Sequence, residues 1–197
     1  MRHRRVWAVL WVIIIAGASG CARPPDTRFY VLTPLPATER ARDVPAGRPP
    51  LVGLHPVTLP EQLDRPQIVT RVGANQLQLA EFDQWAAPLR DSFTRVLAEN
   101  LSILIPTERV PVFPWWPPVE YEVAVDVVRF EGTLGGECSL VASWTLTRTG
   151  RREAATTGRS SHTEPAGESY ATMVSAGSRL IGALGRDIAT ALWSSPR

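Results

Sequence analysis

Tyr121-Glu122-Val123-Ala124-Val125-Asp126-Val127 alternates large apolar residues with polar or small ones over seven positions. A period of two with one apolar face is the signature of a half-buried strand. Val128 breaks the alternation and predicts a bulge. Gly132 to Gly136 turns the chain, and Leu140, Ala142, Trp144 and Leu146 alternate again on the return. The two runs predict an antiparallel pair at the centre of a sheet. A more polar stretch, Glu153 to His162, follows and reads as an edge strand.

Helical patterns lie on either side of this unit. Downstream, Tyr170, Met173, Val174, Gly177, Leu180, Ile181, Leu184, Ile188 and Leu192 form a stripe at helical spacing, with Glu168 or Ser169 available to start it. Gly177, Gly182 and Gly185 cost helix stability, and they predict close packing against a sheet. Upstream, Leu89, Phe93, Val96, Leu97, Leu101 and Leu104 predict a helix that starts near Pro88 and is ended by Pro106.

Nearer the amino terminus, Arg28 to Leu32 reads as a strand, and the proline-rich run Thr33 to Pro50 as a loop. Leu51 to Leu59 is β-rich and broken by Pro56. Gln67 to Val72 and Gln76 to Leu79 flank Gly73-Ala74-Asn75 and predict a hairpin. Val110 to Phe113 reads as a short strand before the loop Pro114 to Pro118. Strands, helix, three antiparallel strands and helix predict one α/β (α+β) domain. Its sheet is mixed, mostly antiparallel, and covered by two helices.

The first twenty residues have a different character. Arg2, Arg4 and Arg5 precede an unbroken apolar run from Val6 to Ala16, and small residues lead to Cys21. A basic start, a short apolar run and a small-residue cleavage site make a secretory signal. The run is too short to cross a bilayer, which takes about 20 residues. Ala18-Ser19-Gly20-Cys21 resembles the lipobox of bacterial lipoproteins. The expected division is therefore a signal peptide over 1–20, a lipidated tether over 21–27 and one globular periplasmic domain over 28–197. Lipid on Cys21 would anchor it, since stable anchoring needs more than one acyl chain. Ala22, where an Asp favours inner-membrane retention, points to the outer membrane with the domain facing the periplasm.

Composition narrows the chemistry. The leading segment holds three Arg and no acid, so its removal takes the formal charge from +2 to −1. Nothing electrostatic in the remaining chain argues for nucleic acid. The sequence contains no lysine, which excludes a Walker A loop and Schiff-base catalysis. His55 and His162 are far apart in sequence and argue against a zinc site or a His-based triad. Glu61, Asp64, Glu81 and Asp83 offer carboxylates, but nothing in the sequence makes them converge. No catalytic residue, metal or cofactor is expected. Cys138, in a strand-like stretch, reads as a small core residue.

Trp115 and Trp116 sit between prolines, so both rings cannot be buried in a regular element. Either one ring caps the core edge, or the loop meets a partner, a neighbouring subunit or a lipid surface.

Three stretches carry a family resemblance: Leu59 to Val69 (Leu-Pro-Glu-Gln-Leu-Asp-Arg-Pro-Gln-Ile-Val), Leu79 to Ala86 (Leu-Ala-Glu-Phe-Asp-Gln-Trp-Ala) and Arg95 to Leu101 (Arg-Val-Leu-Ala-Glu-Asn-Leu). Together with the lipobox and Arg28 to Leu32, they resemble the paraquat-inducible protein C type lipoproteins, the ABC-type transport auxiliary lipoproteins. The resemblance implies a non-enzymatic accessory of an MCE-type system that moves lipids between inner and outer membranes. It further implies docking of a periplasm-spanning MCE protein, a fold like the amino-terminal domain of TolB and, by analogy only, a homo-oligomeric ring. Within the first stretch, Leu59, Pro60, Asp64, Arg65 and Pro66 allow two readings. One is a rigid connector. The other is a docking surface on which Arg65 meets a carboxylate or a lipid phosphate. A lipoprotein scaffold for envelope or cell-wall assembly, and a lipid-anchored hydrolase, are the rival functions.

Overall fold

The central strands pair as their alternation requires. In the computed structural model, which describes residues 25–40, 48–150 and 155–195, β5 (Tyr121–Gly132) runs antiparallel to β6 (Glu137–Arg148) from Tyr121↔Arg148 to Gly132↔Cys138. The register slips by one between Val127↔Ala142 and Arg129↔Val141, which leaves Val128 as the extra residue of a bulge. β7 (Ala155–Pro165) pairs antiparallel with β6 and forms one edge of the sheet.

The sheet grows on the other side of β5 by shorter pairings. β2 (Val52–Leu54) lies parallel to Tyr121–Val123. Pro56 ends its regular pairing, yet the run stays on β5: Thr58 N donates to Val125 O at 3.0 Å, and Val127 N donates to Thr58 O at 2.9 Å. β3 (Gln67–Gly73) meets β5 at one parallel bridge, Thr70↔Gly132. It forms a hairpin with β4 (Gln76–Trp85), and β1 (Arg28–Tyr30) closes the far edge parallel to β4. The seven strands make one mixed sheet ordered β1-β4-β3-β5-β6-β7, with β2 beside the first part of β5. Val110 to Phe113 gives only an isolated parallel bridge, Leu54↔Val112. Proline at 111 supplies no donor there, and Phe113 N already donates to Leu54 O.

Two helices cover one face. Helix α1 (Leu89–Leu104) starts after Pro88, and α2 (Tyr170–Ser194) starts at Ser169, whose side chain and that of Thr172 cap each other's backbone N–H. Both reach Phe130: the Phe93 ring lies 5.2 Å from it edge to face, and a side chain at Gly177 would meet its Cζ at 3.0 Å. The other two helix glycines serve different neighbours. Gly182 admits Leu35 of the segment after β1, and Gly185 admits Leu104 and Asn100 of α1. The core between layers holds Leu140, Leu146, Phe93, Leu97, Leu101, Leu180, Ile181, Leu184 and Ile188, with Cys138 buried among them as expected. The opposite face carries no helix among the described residues. Nor do they include a helix long and apolar enough to cross a membrane.

Candidate functional site

The proline-rich loop after α1 is fixed by the β2 run. Leu54 N donates to Pro111 O, and Phe113 N donates to Leu54 O, both at 2.9 Å. Gly53, lacking a side chain, lets the Trp115 ring lie against the strand; a Cβ there would sit 2.8 Å from Trp115 Cε3. His55, two residues on, lies parallel to the Phe113 ring at 5.4 Å and edge-on to Trp115 at 5.0 Å. Phe113 and Trp115 meet edge to face at 5.2 Å. The Nε2 of His55 lies 3.1 Å from the Glu122 carboxylate. The Phe113–Pro114 and Trp116–Pro117 peptide bonds are cis.

The two tryptophans differ in their exposure. Trp115 is half-buried in an aromatic cluster, whereas Trp116 is 90% exposed and Phe113 is 52% exposed. A groove of about 530 Å³ adjoins this loop, between α1 and residues 108–112. Buried Ala98, Val110 and Thr94 line it with Val112, and so do the exposed charged residues Asp91, Arg95, Glu99, Glu108 and Arg109. Phe113 and His55 were missed in the sequence because only the fold brings residue 55 beside residue 113.

The 59–66 segment links the β2 run to β3. Leu59 and Leu63 are buried in the core, and Pro60 precedes a single 3₁₀ turn over Glu61–Leu63. Asp64 accepts a hydrogen bond from Arg90 at the start of α1. The carbonyl of Pro66 accepts from Trp85 N at 2.7 Å. Arg65 is half-buried, and its Nε is buried with no hydrogen-bond partner. The segment begins where the β2 run ends, whereas Trp115 covers its start, so the fold separates the two groups of candidate residues. Cys21 lies outside the described residues.

The carboxylates do not converge. Asp83 is buried and takes Arg28 and Tyr30 as partners, and Asp64 takes Arg90. A Ser, a His and an Asp do meet elsewhere. Ser160 Oγ and His162 Nε2, both on β7, reach the same oxygen of Asp187 on α2, the histidine at 2.8 Å. Trp144 Nε1 donates to Ser160 Oγ at 3.1 Å. Activating a serine requires it to donate to the imidazole, with the carboxylate behind the ring. Here the serine goes straight to the carboxylate and is 2% exposed, so the trio ties α2 to the edge strand. Among the described residues no group of three His, Cys, Asp or Glu side chains is placed to hold a metal.

Comparison with known proteins agrees with this architecture. A crystal structure of an uncharacterized protein superposes with a TM-score of 0.69 at 19% identity, covering 85% of this chain and 99% of that one. Protein XCC0632 from Xanthomonas campestris, of the DUF330 family, superposes with a TM-score of 0.62 at 16% identity, covering 83% and 93%. At such identities the likeness is one of fold alone. No curated protein matches the sequence. The family model of the ABC-type transport auxiliary lipoprotein component matches residues 30–189, which span β2 to β7, all of α1 and most of α2, and the chain belongs to that family.

Proposed function

We propose that this chain is a non-enzymatic accessory lipoprotein of an MCE-type system that moves lipids between the inner and outer membranes. Lipid on Cys21 holds it at the outer membrane, facing the periplasm, where it docks the periplasm-spanning MCE partner. Membership of the transport auxiliary family supports the class of function. The observation that carries the docking role is an aromatic ledge, a pair of exposed aromatic side chains in one loop beside a groove: Phe113, packed on Trp115 and His55, and Trp116. Rigid aromatic side chains bordered by charge are the usual anchors of protein interfaces. The side chains with catalytic potential, Ser160, His162 and Asp187, are engaged in joining α2 to β7. The contact residues are Trp116 and Phe113, supported by Trp115. The turn bearing Pro60, Asp64, Arg65 and Pro66 positions the start of α1.

The test is crosslinking in intact cells, followed by purification of this lipoprotein from membranes. Recovery of an MCE-domain protein is expected, and its complete absence would count against the reading.

A further inference from the structure

The strand registers fix where the tether meets the domain. Phe29, Gln84 and Gln67 share one row, and Thr70 shares a row with Gly132. Arg28 therefore sits about five residues, or ~16 Å, from the level of the β3–β4 hairpin tip at Gly73. Gly53 pairs with Glu122, ten residues up β5 from Gly132. The aromatic loop over Gly53 is thus ~26 Å from Arg28 in the opposite direction. Because β1 is parallel to β4, which leads away from the hairpin tip, the Arg28 end of β1 is the one that faces that tip.

Chain length then limits where a lipid on Cys21 can lie. Six residues lie between Cys21 and Arg28, and the seven Cα-to-Cα steps reach ~24 Å fully extended. That suffices to pass the hairpin tip. Even with the chain reversed on itself, that length falls short of the ~26 Å to the aromatic loop.

The tip end presents apolar side chains on fixed loops. Val72 is 49% exposed and Leu134 is 38% exposed. Thr133 Oγ1 donates to Arg71 O at 3.0 Å, joining the β5–β6 turn to β3. Arg71 Nη1 donates to the carbonyls of Gly73 and Ala74, and Gly135 N donates to Gly167 O at 2.8 Å.

We propose that this end, made by the β3–β4 hairpin tip and the β5–β6 turn, rests on the phospholipid surface through Val72 and Leu134, with the aromatic loop on the far side. The inference rests on Cys21 being the lipidated residue. It gives the domain two working ends, one for the membrane and one for the arriving partner.

Site-directed fluorescence tests this on the full mature lipoprotein. Variants with one added cysteine, Val72→Cys, Leu134→Cys or Trp116→Cys, carry an environment-sensitive dye. Vesicles of phosphatidylethanolamine and phosphatidylglycerol carry a nitroxide on their acyl chains. Cys21 is blocked by its lipid, and burial pushes the Cys138 thiol up to about 12, so neither competes for the dye at neutral pH. Dyes at 72 and 134 are expected to be quenched about threefold or more over the dye at 116, because apolar tips seat at the headgroup boundary. If one tip variant fails to fold, the other carries the same comparison. Equal quenching at all three sites, or the strongest at 116, overturns the orientation while leaving the anchor intact. Protein that fails to float with the vesicles and has no lipid mass on Cys21 overturns the anchor and the orientation together.

Discussion

Arg28 grips Asp83 through two parallel hydrogen bonds, Nε to Oδ1 and Nη2 to Oδ2, each at 2.8 Å. The Tyr30 hydroxyl donates a third to Oδ1 at 2.6 Å. Asp83 is 3% exposed, so the chain first meets the sheet at a buried carboxylate held by two residues of β1. Hydrogen bonding from Arg28 is the main reason this carboxyl lies below its ordinary value of 3.8, against the opposing effect of burial. Replacing Asp83 by Ala should cost about 2 kcal/mol, the scale of lost charge-assisted hydrogen bonds. A group with a depressed folded pKa stabilises above its unfolded value, and the contribution fades as pH falls through the folded one. The gap between wild type and Asp83→Asn in urea unfolding should therefore be full at pH 7 and shrink below pH ~4. A gap that is unchanged at pH 3 contradicts the assignment.

The joint between α2 and β7 gives a second prediction. Asp187→Ala leaves Ser160 Oγ buried with Trp144 Nε1 as its remaining side-chain partner, and frees His162. An unsatisfied buried hydroxyl costs about 1–3 kcal/mol. The loss should be local to the edge. Amide exchange should quicken in Ala155–Pro165 more than in Tyr121–Gly132, which is paired on both sides. Uniform acceleration across both strands would show that the trio does not act at the edge.

Cys138 supplies a third. Its side chain is 4% exposed, and burial is the main cause that raises its thiol pKa to about 12. Alkylating reagents act on the thiolate, so the native protein should resist iodoacetamide at pH 8 and react fully in denaturant. Rapid native labelling would mean that the β6 core opens readily.

The sequence and the fold agree where one face of an element decides its pattern. Tyr121 to Val127 and Leu140 to Leu146 show their alternation because a single face meets the helices, and the bulge at Val128 is visible as its interruption. β4 is harder. It continues from Ala80 to Trp85 through Glu81, Asp83 and Gln84, and its register with β3 shifts there. The charged residues hide the strand, since the partners that make Asp83 acceptable inside come from β1, more than fifty residues earlier. Ser160 and His162 mislead in the same way. Their polarity marks β7 as an edge, but their partner Asp187 lies on α2. The three helix glycines signal close approach, yet only Gly177 approaches the sheet. The aromatic ledge was half visible. Paired tryptophans between prolines point to exposure, whereas the support from Gly53 and His55 depends on parallel pairing of β2 with β5.

That support allows stability and docking to be separated at two positions. Trp116 is 90% exposed, so Trp116→Ala removes little buried surface and should change the unfolding free energy by less than about 0.5 kcal/mol. An aromatic anchor at an interface is commonly worth about 2 kcal/mol, so recovery of the crosslinked partner should fall by more than tenfold. Gly53→Ala acts from the other side. Its Cβ would lie 2.8 Å from Trp115 Cε3 and 2.9 Å from Cζ3, so the ring must leave the strand and carry the ledge with it. Partner recovery should drop although Trp116 is unaltered, with only a modest loss of stability because the displaced ring belongs to a surface loop. Normal recovery with Gly53→Ala, alongside loss with Trp116→Ala, would place the contact in Trp116 alone. Normal recovery with both would remove the ledge from the docking surface.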